Sequence, residues 1–335
     1  MKPGLLAMLA VMALMLVVGC NSPETKAITK KSSSGKTQEL ILAADRGLYT
    51  GATKELIDSI FRAPQEGLPQ LEPRFNVVTI PVSSLENTQM FQMHRNIVLC
   101  DIKEGNPDKL YIHHDKWSEP QVVVDIAATS EASLCDLLRR HADRIVAELY
   151  SAEYRRMASV FYRDRNVDIM KRMESKFGFT LNVPQEFSVA KDDDGFMWLL
   201  KRTKDFDLSV LVHVEPYRDQ QQFAADKILN RLDTTMRRNV PGPAEGSYMG
   251  TERRADILNR VVDIEGAKYA VENRGQWRLF GDFMGGPFVS YTILSPDGTQ
   301  LVELTGFVYC PRFDKRDYLM QVDGICRSIK WSAVE

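Results

Sequence analysis

Arg274, Arg278 and Asp282 punctuate a stretch that also holds Trp277, Phe283, Met284 and Phe288, and that turns on Gly285 and Gly286 just before Pro287. Guanidinium groups in such a place can clamp a carboxylate or a phosphate, and rigid aromatics supply much of the binding energy of known interfaces. A glycine pair lets a backbone come close to a partner. Strand alternation puts Glu272, Arg274, Gln276 and Arg278 on one face, and Tyr269, Val271 and Trp277 on the other. The segment therefore reads as a candidate binding surface made of Arg274, Trp277, Arg278, Asp282, Phe283, Met284, Gly285, Gly286 and Phe288. The more ordinary reading is a bulged hairpin filling its own core, since aromatics beside glycine turns are common in sheets.

Other chemistry-bearing groups are scattered. His113 and His114 are neighbours on a strand-like run, so they point to opposite faces and do not share a metal. Asp192, Asp193 and Asp194 precede Gly195 and read as a solvated turn, because a calcium loop needs more oxygen ligands at defined spacing. Ser34-Gly35-Lys36-Thr37 resembles the end of a phosphate-binding loop, but Lys30 stands where the first glycine would be. The zinc-protease, paired-cysteine and nucleophile-elbow spacings do not occur. No catalytic residue, metal or cofactor is expected, and a binding or assembly module is the leading class. The alternative is a hydrolase of envelope material whose site comes together only in three dimensions.

The elements that would carry these residues begin after an apolar run from Leu5 to Val18, preceded by Lys2 and ended by Gly19-Cys20. That run is shorter than the roughly 20 residues a bilayer needs, and reads as a signal peptide over residues 1–19. Val17-Val18-Gly19-Cys20 resembles the lipobox of bacterial lipoproteins, which implies cleavage before Cys20 and acylation of its sulfur. Two or more acyl chains would anchor the chain almost permanently. Residues 20–38, rich in Ser, Thr and Lys, read as a flexible tether. A lone Glu24 after Cys20 lacks the acidic cluster of surface-export signals, so the expected place is the outer membrane, facing the periplasm.

Beyond the tether, 44% hydrophobic and 26% charged residues fit a folded core. A net charge of −2 without a basic face excludes nucleic-acid binding. Strands come in runs with helices between them, which predicts an α+β fold with largely antiparallel sheets and packed helices, in two halves, 39–165 and 166–335. A long helix is expected from Ser130, its cap, to about Tyr162, and another ending at Gly178. Cys100, Cys135, Cys310 and Cys326 read as buried free thiols. Cys310 closes a strand and Cys326 lies about eleven residues into the next helix, roughly 16 Å along its axis, too far for a disulfide.

Five stretches, "LPQLEPRFNV", "RNIVLCDI", "VPGPAEGSYMGTE", "RGQWRLFGDFMGGPFVSY" and "GFVYCPRFDKRD", together with the lipobox, resemble an uncharacterised Bacteroidota lipoprotein family known as domain of unknown function 4837. The similarity spans essentially the whole mature chain. It implies a cell-envelope setting, a membrane partner through lipid on Cys20 and company with other envelope proteins, but no activity, ligand or cofactor. The order of strands and helices in the second half is also weakly similar to PsbP-like folds.

Overall fold

The computed structural model describes residues 30–45 and 47–332. The expected signal peptide, Cys20 and the first part of the expected tether lie outside the described residues. The first half runs β1 (Glu39–Ala43), α1 (Gly51–Phe61), β2 (Asn76–Ile80), α2 (Val82–Asn87), α3 (Gln89–Gln92), β3 (Asn96–Ile102), β4 (Lys109–His114), β5 (Val122–Ala128) and α4 (Glu131–Arg163). Its sheet has the order β2-β1-β3-β5-β4. The first three pairings are parallel and only β4 is antiparallel, in contrast to the second half. The reason is visible in the residues. "LILA", "NIV" and "VVV" are buried on consecutive positions rather than alternate ones, because α1 and α4 cover one face and α2 the other. Strands buried on both faces are the mark of parallel sheets.

The second half runs α5 (Val167–Phe177), β6 (Phe179–Thr180), β7 (Ser188–Asp193), β8 (Phe196–Arg202), β9 (Asp207–Pro216), α6 (Ala225–Asn239), β10 (Tyr248–Thr251), β11 (Leu258–Val261), β12 (Tyr269–Phe280), β13 (Gly285–Leu294), β14 (Gln300–Tyr309), α7 (Arg316–Arg327) and β15 (Lys330–Trp331). The large sheet is antiparallel in the order β10-β12-β13-β14-β9-β8-β7, with β11 also on β12. One face packs on α5 and α7 through Met173, Phe177, Leu319, Val322 and Ile325. The other packs on α6 through Leu232 and Met236. The chain as a whole is α+β with largely antiparallel sheets, as expected.

The local signals act as read. Ser130 caps α4 in a reciprocal box with Ser133, and Gly178 ends α5 in the left-handed region, φ 76°. Cys100, Cys135, Cys310 and Cys326 are free and buried, the first two in the first half and the others in the second. Ser32–Gln38, read as tether, is instead docked. Ser33 and Ser34 donate their N–H groups to the carbonyls of Glu119 and Met93 at 3.0 and 2.8 Å, and Gln38 is buried. Backbone bonds to a neighbouring loop outweigh the polar composition that suggested a free linker.

The two halves meet along α7. Glu72, buried in the loop after α1, accepts the backbone N–H groups of Lys315 and Arg316 at 2.7 and 2.8 Å. A carboxylate there satisfies two orphan donors and meets the positive end of the helix dipole. Arg316 returns the contact by donating to the carbonyl of Pro73 at 2.6 Å. Glu72→Ala is expected to lower the unfolding free energy by about 2 kcal/mol, read as a shift in the urea midpoint. An unmoved midpoint would show that this cap contributes nothing.

Candidate functional site

Strand alternation along β12 separates the residues that the sequence grouped together. Trp277 and Phe288 turn to the α6 side and are buried there with Leu232 and Met236, and the Trp277 indole N–H donates to the carbonyl of Val308 at 3.1 Å. Met284 packs half-buried against the same cluster. A Cβ on Gly286 would stand 2.1 Å from the Val308 carbonyl oxygen, so the close approach that requires glycine is made by the protein's own β14. Arg278 is half-buried, with Nη1 3.2 Å from Glu252. Asp282 accepts the N–H of Phe283 at 2.6 Å. Phe283 is 94% exposed at the turn, beside the exposed Gly285. These residues form a filled hairpin and an isolated tip rather than one lip.

Arg274 lies on the opposite face and is not exposed either, at 4%. It anchors a buried polar cluster between β12, β13, α4 and α7. Its Nε donates to Glu272 at 2.7 Å, and Nη2 pairs with Asp323. Glu272 also receives Arg327 at 2.5 Å and Arg260 at 2.6 Å. The Tyr154 hydroxyl donates to Asp323 at 2.6 Å, and the Tyr291 hydroxyl lies 2.5 Å from the other oxygen of Asp323. Arg327 rests over the rings of Tyr154 and Tyr291, 4.7 and 5.0 Å from their centroids. Three guanidinium groups therefore serve two carboxylates. Burial pushes the Glu272 carboxyl up, but the charges of Arg274, Arg327 and Arg260 outweigh it and hold it well below the usual range. Burial also lifts the hydroxyls of Tyr154 and Tyr291 far above ordinary tyrosine.

Tyr154, Arg260, Arg274 and Arg327 of this cluster line a cleft of about 1010 Å³ and form its floor. One wall is the face of α4 from Asp143 to Tyr162, including Tyr150 and Tyr154, whose rings stack 6.2 Å apart. The facing wall is the strand end Arg260–Glu265. Pro64–Glu66 and Ser328–Lys330 complete the rim. Chemically the floor is a poor proton carrier. Glu272 stays ionised through the physiological range and its oxygens are taken up by arginines, while the tyrosines stay protonated, so neither can exchange a proton near neutrality. It is well made for holding shape and presenting fixed charge.

Of the residues picked from sequence, only Arg274 touches this cleft. Tyr154, Arg260, Glu272, Tyr291, Asp323 and Arg327 were missed. The one available signal was Glu272-x-Arg274 within an otherwise apolar strand, two opposite charges that alternation places side by side. His113 and His114 lie near Asp125 and Glu148 respectively, at 3.9 and 3.7 Å. Among the described residues no group of three metal-binding side chains is gathered.

Residues 166–328, which supply the floor arginines and the strand wall, match the family described as domain of unknown function (DUF4837). This part of the chain is similar to DUF4837 domains. Residues 33–162, which supply the helical wall as far as Tyr162, match a second domain of unknown function (DUF8532). The DUF4837 likeness thus stops short of the first half, where the sequence had suggested it continued. No curated protein matches the chain. The cleft lies along the seam between the DUF8532 and DUF4837 segments, and both contribute its lining.

Proposed function

We propose that this chain is a lipid-anchored binding protein of the cell envelope, with its ligand held in the cleft between α4 and β11. The observation that carries the reading is the floor of that cleft. The carboxylates buried behind it, Glu272 and Asp323, are saturated by Arg260, Arg274 and Arg327, which suits the fixed electrostatics of a binding site better than acid–base turnover. A cleft of this size is at the upper end for small-molecule sites. The lipobox-like Val17–Cys20 segment supports anchoring through Cys20, and the single acid after it supports the periplasmic face of the outer membrane.

The test places a photo-crosslinking amino acid at Ala147, exposed on the cleft wall, or at Phe283, and irradiates cells that make the protein natively. Adducts are expected from position 147 and not from 283. Silence at 147 would overturn the cleft as a binding site. In the same cells a clickable fatty acid should label the wild type and not Cys20→Ser; retained label would remove the anchor from the proposal.

A further inference from the structure

The strand wall of the cleft has an open edge. β11 pairs antiparallel with β12, Arg260 opposite Glu272 and Val261 opposite Val271, and among the described residues no strand lies on its other side. Val262 donates its N–H to the carbonyl of Ala270 at 3.0 Å. In an antiparallel ladder such bonds fall on alternate residues, so Arg260 and Val262 turn their peptide groups to β12. Val261 and Asp263 turn theirs away, and both line the cleft. Val261 is also 64% exposed. Opposite stands α4, whose lining stretch from Asp143 to Tyr162 is roughly 28 Å long, the span of about eight residues of extended chain.

The charges around the cleft narrow the ligand. Arg74, Arg155 and Lys330 have no ion-pair partner among the described residues, and neither do Asp143, Asp263 and Glu265. Three free cations and three free anions do not select a polyanion such as a phosphorylated ligand. They complement a chain that carries both signs or neither. The remaining selective feature is the row of peptide donors and acceptors facing a tyrosine-bearing helix. A strand edge facing a helix across a groove is the arrangement that takes an extended peptide by strand addition.

We infer that the cleft binds an extended peptide segment of another protein, which pairs with the free edge of β11 and lays its side chains against Tyr150 and Tyr154 of α4. This deepens the binding reading above and rests on it. Main-chain bonds to Val261 and Asp263 supply affinity, and the mixed charges set which side chains are accepted.

The experiment selects from a random dodecapeptide phage library on the full chain in detergent micelles, then titrates the best synthetic peptide. Val261→Pro removes an outward N–H without touching the β11–β12 ladder, a position where an edge strand tolerates proline. It is expected to weaken the peptide at least tenfold. Ala147→Trp narrows the cleft from the helix side and should weaken it as much. On the wild type, bound peptide should slow amide exchange at Val261 and Asp263 at least tenfold, a measure that stands whether or not the proline variant folds. If Ala147→Trp blocks binding while Val261→Pro does not and the two amides stay unprotected, strand addition is overturned and the cleft reading survives. If neither substitution matters, both fall. A library that yields no binder overturns the peptide.

Discussion

Arg274→Ala is expected to melt roughly 10 °C below the wild type, a loss of about 3–5 kcal/mol. The cost comes from what is left behind. Glu272 and Asp323 are buried beneath the cleft, and without the central guanidinium they keep their desolvation penalty and lose its attraction. Arg278→Ala removes a half-buried charge paired to Glu252 and should stay within about 1 kcal/mol. Scanning fluorimetry on the two variants separates them, and equal melting would refute the buried-cluster account. Because the penalty belongs to the unpaired carboxylates, combining Arg274→Ala with Glu272→Ala and Asp323→Ala should cost less than the three single losses added together.

Trp277→Ala is the second large effect, about 3–5 kcal/mol. The indole fills the space between β12 and α6, stands edge-on to Phe307 with centroids 5.5 Å apart, and bonds Val308. Its neighbour in sequence gives the contrast. Phe283→Ala, at the exposed tip, should change stability by no more than about 0.5 kcal/mol. Urea titration of both variants decides whether this hairpin is core or surface. A Trp277→Ala protein as stable as Phe283→Ala would mean the ring is not packed as described.

How much was legible followed the range of the signal. Caps and turns depend on a few adjacent residues, so Ser130, Gly178 and the Asp-Asp-Asp-Gly195 turn, with φ 64° at the glycine, were readable. The alternation of β12 was readable too, and it put Arg274 and Trp277 on opposite faces correctly. What alternation does not say is whether a face is wet. Both faces of the large sheet are covered by helices, so an arginine that looked free for a ligand is locked beneath Tyr154 and beside Asp323, 120 and 49 residues away. The cleft was invisible for the same reason, since its lining comes from segments far apart in the chain. β11, only four residues long on an edge, is too short for a periodic pattern. In the first half the unbroken apolar runs were a readable sign of parallel strands, and the clustering of strands in the sequence pointed the other way.

Two of the four buried thiols have a use that has nothing to do with holding the fold. Cys100 lies in the core of the first half and Cys326 in that of the second, and burial pushes the Cys100 thiol up to about 12 and the Cys326 thiol higher still. Closed, they are silent to an alkylating reagent, because the thiolate is the reactive form. Each becomes reactive only when its own core opens. The chain thus carries two native clocks, one on either side of the Glu72–α7 seam, and the ratio of their alkylation rates reports whether the halves breathe together or one at a time.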